Sequence, residues 1–170
     1  MTEYIHHYQS PLGKLFLSSN GEALTGLWFE GQKYFSELID YEKAKVQNLR
    51  VFALCDKWLN IYFSGKAPDF MPPVSFCSTP FQEAVWQVLL TIPFGFVMSY
   101  GQIAQMIAKS QGIKHMSAQA VGAAVGRNPI SIIVPCHRVV GSKGELTGYA
   151  AGLETKRRLL CLEGIIKTGR

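Results

Sequence analysis

No apolar run in the sequence reaches the 18 residues that a membrane-spanning helix needs. The opening Met1-Thr2-Glu3-Tyr4 has neither a basic n-region nor an apolar h-region, so no secretory signal is expected and the cytoplasm is the expected compartment. Cysteine is scarce. Cys55, Cys77, Cys136 and Cys161 are the four, and none sits in a C-x-x-C pair. Without an export signal these should be reduced thiols rather than a disulfide framework. The two close-spaced ligand pairs of a zinc site are missing too; His6 and His7 are adjacent, so their side chains diverge. Repeats, heptads and low-complexity tracts are absent.

What is present is ordinary for a globular protein. The 170 residues are 48% hydrophobic and 17% charged, enough for one large domain or two small ones with a real core. The net charge of +5 is unevenly spread. Residues 1–110 hold 8 Lys and Arg against 9 Asp and Glu, whereas residues 111–170 hold 9 against 3. The excess positive charge therefore lies in the last third. Such a face suits a polyanion such as DNA, or serves as a solvated surface that keeps the protein soluble.

The first thirty residues read as strands. Short, partly alternating apolar runs at 4–8, 14–18 and 23–29 are separated by Ser10-Pro11-Leu12-Gly13 and Ser19-Asn20-Gly21, and Asn-Gly signals a hairpin because both residues tolerate positive φ. A helix is expected over 48–63, with Leu49, Phe52, Leu54, Trp58, Leu59 and Tyr62 as its apolar positions. Residues 64–80 hold four of the eight prolines and read as a linker. The expected architecture is α+β: a small β-rich domain over 1–77, then a mainly helical domain over 78–170.

In that second part a helix over about 81–90 starts near Pro80, where a missing N–H costs nothing, with Val85, Trp86 and Leu89 on its buried side. Residues 99–109 form an amphipathic helix with Ile103, Met106 and Ile107 inward. Residues 117–126, rich in alanine and glycine, form another. The two make a helix-turn-helix unit, a pattern shared by many helix pairs that bind nothing. A last helix over 156–162 presents a basic face at Lys156, Arg157 and Arg158, with Gly164 as its stop.

The chemistry concentrates at one place. A β-like apolar run, Ile130 to Val134, feeds Pro135-Cys136-His137-Arg138-Val139. A thiolate is the nucleophile, and a free cysteine is only a few per cent thiolate at neutral pH, so it needs a base or a positive environment. His137 is adjacent in sequence and could serve as the base, and Arg138 adds positive charge. A cysteine with no such company is usually a small buried hydrophobe, which is the reading for Cys55, Cys77 and Cys161. A thiol protease would need a distant histidine such as His115, and nothing around His115 supports that.

The run Pro135-Cys136-His137-Arg138-Val139 resembles the signature of the O6-alkylguanine-DNA alkyltransferases. Further residues fall in that family's order and spacing: Phe81, Trp86, Ser99-Tyr100, Gly126-Arg127-Asn128-Pro129, Gly148-Tyr149, Gly152-Leu153, Leu159-Leu160 and Glu163-Gly164. The resemblance is strong over about 80–165. It is loose over the N-terminal part, which corresponds to the family's variable, ribonuclease-H-like domain.

The resemblance implies one-step repair of O6-alkylguanine, and of O4-alkylthymine, by irreversible transfer of the alkyl group to Cys136, with no redox or metal cofactor. It implies that His137 acts as base through a water, that Glu163 orients it, and that Asn128 braces the turn holding the cysteine. Tyr100 would help extrude the nucleotide, and Val139, Tyr149 and Ala150 would line the guanine pocket. Ala118, Gln119, Gly122 and Arg127 would meet double-stranded DNA from the minor groove, where small residues suit a narrow space. The base must be flipped because a thiol cannot reach O6 in line within the stack. Many relatives carry arginine where this chain has Gln119, so flipping is expected with weaker, less salt-sensitive anchoring. The turn between the two helices is longer by an apparent insertion around 110–116. A monomer is expected, with no membrane partner. A non-catalytic binding module of the same fold would lack Cys136, and a transcriptional regulator would carry a further DNA-binding module.

Overall fold

A computed structural model of the chain describes residues 2–34 and 39–167. The fold is α+β, and its contacts divide it into two units: residues 1–77 with Pro129–Ser131, and Ser78–Asn128 with Ile132–Arg170. No helix among the described residues is long and apolar enough to cross a membrane.

The first unit is built on a four-stranded sheet. Strands β1 (Tyr4–Ser10), β2 (Gly13–Ser19), β3 (Leu24–Phe29) and β4 (Lys45–Val46) lie in the order β3-β2-β1-β4. β1–β2 and β2–β3 are antiparallel, and β4, which the sequence pattern does not reveal, pairs in parallel with β1. The Asn20-Gly21 hairpin exists, but not as two residues at positive φ. Only Gly21 is there, at +107°, while the Asn20 side chain accepts from the N–H groups of Glu22 and Ala23. An asparagine can build such a turn with its own carbonyl.

Helix α1 (Arg50–Phe63) buries Val51, Phe52, Cys55, Trp58, Leu59 and Tyr62; with Leu15, Leu17, Leu24, Leu27 and Trp28 these form the core of the unit. Burying each such side chain contributes about 1.5–3 kcal/mol. The outer edge of β3 is closed by two single bridges, to Val74 and to Ile130. Leu27 donates to the Pro129 carbonyl and accepts from the Ser131 N–H, both at 2.9 Å. A sheet edge that would otherwise be open is thus covered by three residues from far along the chain.

In the second unit the helix starts are legible in side-chain caps. Thr79 caps α2 (Pro80–Leu89), Ser99 forms a reciprocal capping box with Gln102 on α3 (Tyr100–Gln111), and Ser117 caps α4 (Ala118–Gly126). Trp86 Nε1 on α2 donates to the Ala124 carbonyl at 2.9 Å and ties α2 to α4. On α3 the buried face is Ile103, Ala104, Ile107 and Ala108; Met106, expected inside, is 42% exposed because it lies one residue off that stripe.

Strand β5 (Met98–Ser99) pairs in parallel with β6 (Val139–Val140). This short ladder sets Tyr100, the first residue of α3, beside the chain that leaves the Cys136 turn. The final helix α5 (Leu153–Leu162) is closed by Gly164, at φ +79°. Its N–H reaches the Cys161 carbonyl while Ile165 N–H reaches Leu160, the Schellman arrangement that glycine permits. Two expectations for this unit change. The run before Cys136 is not a strand: Ile130 makes one bridge and residues 131–133 turn, with Ile132 at φ +69°, a conformation that costs a β-branched residue about 1–3 kcal/mol. The basic face of α5 loses Lys156, which is fully buried among Val139, Thr147 and Gly148.

Candidate active site

The turn that presents Cys136 begins at Pro135, whose φ of −83° and ψ of 65° make it the centre of an inverse γ-turn. The Cys136 N–H closes that turn on the Val134 carbonyl at 2.8 Å, and a ring-fixed φ makes proline suited to the position. A short 3-10 turn, Cys136–Arg138, follows. Asn128 is buried, and its Nδ2 donates to the same Val134 carbonyl at 2.8 Å. One carbonyl therefore ties the turn both to its own next residue and to the segment after α4.

Cys136 is buried. Burial pushes its thiol pKa up, which disfavours the thiolate. Hydrogen bonding from Asn128, the Lys156 charge, the backbone N–H and the Tyr149 hydroxyl all pull the other way. The other thiols differ. Cys55 is buried, and its environment pushes it up to about 12; Cys77 is exposed and Cys161 partly so, which corrects the expectation that all three are buried hydrophobes.

His137 is fully buried, and its Nε2 lies 2.5 Å from Glu163 Oε2. The other carboxylate oxygen, Oε1, accepts from Arg138 Nε at 2.8 Å and from the Gly95 N–H at 3.0 Å. Burial alone would raise the Glu163 pKa, but the hydrogen bond from His137 and the Arg138 guanidinium hold it at about 2. An ionised carboxylate can only accept, so Nε2 carries the proton and Nδ1 is the basic nitrogen of the ring. Burial also lowers the His137 pKa, against the pull of Glu163, so the imidazole is neutral and able to take a proton. Glu163 is the C-cap residue of α5, one step before Gly164, and the Schellman closure sets where its carboxylate starts from.

Arg138 supports Glu163 rather than the thiol. Its Nη1 donates to the Ile92 carbonyl at 2.6 Å and the guanidinium stands over the Phe94 ring. Lys156 spends its three N–H groups on the carbonyls of Val139 (2.6 Å), Thr147 (3.1 Å) and Gly148 (3.2 Å). Burial lowers its pKa to about 8, opposed by Cys136, so it is still charged at neutral pH. Sequence reasoning gives Arg138 to the thiol and Lys156 to a basic surface, and so misses the role of each. For Lys156 the signal was there: Lys156, Leu159, Leu160 and Glu163 stand at i, i+3, i+4 and i+7, one face of a helix.

Tyr100 is half-buried. Its hydroxyl donates to the Thr147 carbonyl at 3.0 Å. Its pKa is raised, first by burial and further by Cys136, against the Thr147 hydrogen bond. A Cβ on Gly122 would stand 3.6 Å from the Tyr100 ring, so α4 passes close to it. Val139 is buried in β6, and Tyr149 and Ala150 are half-buried on the loop that follows Gly148. Cys136, His137, Asn128, Glu163, Tyr149 and Tyr100 thus converge. Ala118, Gln119 and Arg127 are exposed and Gly122 is half-exposed, along α4 and at its C-cap. Among the described residues no three His, Cys, Asp or Glu side chains stand close enough to share a metal ion.

Comparison with known proteins agrees in both units. The family model described as the 6-O-methylguanine DNA methyltransferase DNA binding domain matches residues 80–165, and the one described as the ribonuclease-like domain of the same proteins matches residues 4–76. The methylated-DNA–protein-cysteine methyltransferase of Mycobacterium leprae is 42% identical over 154 residues, covering 91% of this chain and 88% of that protein. The protein of the same name from Haemophilus influenzae is 40% identical over 163 residues, covering 95% and 87%. The crystal structure of Mycobacterium tuberculosis OGT in complex with DNA superposes with a TM-score of 0.80 at 40% identity, covering 94% of this chain and 92% of that one. With both units matched and identity of this level over nine-tenths of its length, the chain belongs to the 6-O-methylguanine DNA methyltransferase family.

Proposed function

We propose that this protein repairs O6-alkylguanine in double-stranded DNA, and O4-alkylthymine with it, by moving the alkyl group to Cys136 in a single irreversible step. The observation that carries this reading is the buried pair His137 and Glu163 directly after the buried Cys136: a neutral imidazole, next in sequence to the thiol, whose Nε2 is held by an ionised carboxylate. Such an arrangement serves nucleophile, base and orienter. His137 Nδ1 takes the thiol proton, directly or through a water. Lys156, Asn128 and Tyr149 stabilise the thiolate. The sulfur attacks the alkyl carbon, the S–C bond forms as the C–O6 bond breaks, and guanine leaves with the electron pair and gains a proton. The thioether has no route back to a thiol, so each molecule acts once.

Asn128 fixes the turn, and Val139, Tyr149 and Ala150 surround the flipped base. Tyr100, between α4 and the Thr147 loop, assists its extrusion. Ala118, Gln119, Gly122 and Arg127 face the minor groove. The protein acts as a monomer in the cytoplasm, on chromosomal DNA. Incubation with a duplex containing O6-methylguanine, under reducing conditions, should add one methyl to the peptide bearing Cys136. Cys136→Ala should gain nothing. A parent protein whose mass is unchanged overturns the reading.

A further inference from the structure

Between Glu83 and Glu145 the chain has no acidic residue at all, yet it carries Lys109, Lys114, Arg127, Arg138 and Lys143. Arg138 is buried on Glu163. Lys109 and Lys114 sit differently. Every residue from 109 to 115 is exposed, and among the described residues neither lysine joins an ion pair.

Local structure accounts for Lys109 but not for Lys114. Lys109 lies in the last turn of α3, where a cation complements the helix dipole. Gly112, at φ +66°, then ends α3 as Ile113 N–H bonds back to the Ala108 carbonyl. Lys114 and His115 follow, three and two residues before Ser117, which caps α4. A cation is unfavourable beside a helix N-terminus, and α4 has no acidic residue in its first turn to offset it. Positive charge is therefore gathered at the entry to α4 at a cost to the free protein. An anion placed there would recover that cost.

We infer that the segment 112–116, with Lys109 behind it, is an arm that contacts DNA phosphates beyond the groove occupied by α4, extending the footprint of the protein along the backbone. This rests on the DNA-repair reading above and adds to it a partner surface that the recognition face of α4 does not include. Contacts of this kind carry no sequence information. They add affinity and salt dependence, at about 0.9 in the slope of log affinity against log salt for each phosphate neutralised.

The test is the affinity of a fluorescent duplex containing O6-methylguanine, measured by anisotropy from 50 to 200 mM KCl. The proteins are the parent chain, a Lys109→Gln/Lys114→Gln double variant and the matching Lys→Arg double variant. The glutamine variant should show a slope smaller by about 1.8, and a weaker affinity that is most evident at low salt. The arginine variant should keep the parental slope. A glutamine variant with the parental slope overturns the arm, as does an arginine variant that loses as much as the glutamine one. A parent that does not bind the duplex overturns the repair reading itself, which separates the two failures.

Discussion

Glu163 accepts from three directions, His137, Arg138 and the Gly95 N–H, and this decides what each of those groups can do. In Glu163→Gln the amide can no longer fix the proton on Nε2 by charge, and Arg138 is left buried without its counter-ion. Transfer should slow by about 10²-fold, the scale of a general-base contribution, and stability should fall by about 3–5 kcal/mol. Kinetics well below the melting point separate the two effects. The same pair sets an acid limit. Glu163 and His137 both have folded pKa values below their ordinary ones, so the unfolded chain binds more protons as pH falls. The Glu163 contribution is complete above 4.5 and is lost as pH drops from there toward about 2; the His137 contribution begins to fade below its ordinary 6.5. Urea melts from pH 7 down to about pH 2 should show stability falling with acid, and Glu163→Gln should lose the part of that slope that lies below 4.5. Lys156 acts on the thiol by charge. Lys156→Met should move the pH midpoint of alkyl transfer upward by about one unit, a tenfold loss of thiolate at neutral pH. A midpoint that does not move would mean that the buried ammonium only holds carbonyls.

At the scale of elements, small residues on α4 have two readings that one substitution separates. Gly122 lies mid-helix, where alanine is better by about 1 kcal/mol, and a Cβ there would meet Tyr100 only at ordinary contact distance. Gly122→Ala should therefore raise the melting temperature. If the face enters a minor groove, the same change should weaken duplex binding, because every added methyl occupies groove volume. A variant that gains stability with unchanged DNA affinity would show that glycine at 122 is not needed for close approach. The element pattern was largely readable beforehand. Thr79, Ser99 and Ser117 mark helix starts through local chemistry, and Gly112 and Gly164 mark stops. Met106 and Lys156 were misplaced, since a stripe one residue out of phase, or a long cation on an apolar face, looks amphipathic either way until the neighbours are known.

Across the whole molecule, the chain that leaves α4 gives Pro129–Ser131 to the edge of the first unit before Ile132 returns to the second. A fragment of residues 78–170 would leave those three residues without their Leu27 partner. It should melt below the full-length protein, read by circular dichroism on both. A fragment as stable as the parent would mean that the bridge matters only to the sheet.

The sequence by itself singled out the run Pro135-Cys136-His137-Arg138-Val139 and marked several helix starts and stops, because a proline-fixed turn, side-chain caps and hydrophobic periods are local properties. Tertiary structure alone decided which cation serves which anion. Arg138 stands two residues from the thiol in sequence yet bonds Glu163, and Lys156 reads as solvated yet is buried with its three donors on the carbonyls of Val139, Thr147 and Gly148 while its charge bears on Cys136. Burial and long-range pairing set those roles, since a charge excluded from water must take whatever partner packing brings to it, and no spacing along the chain records that choice.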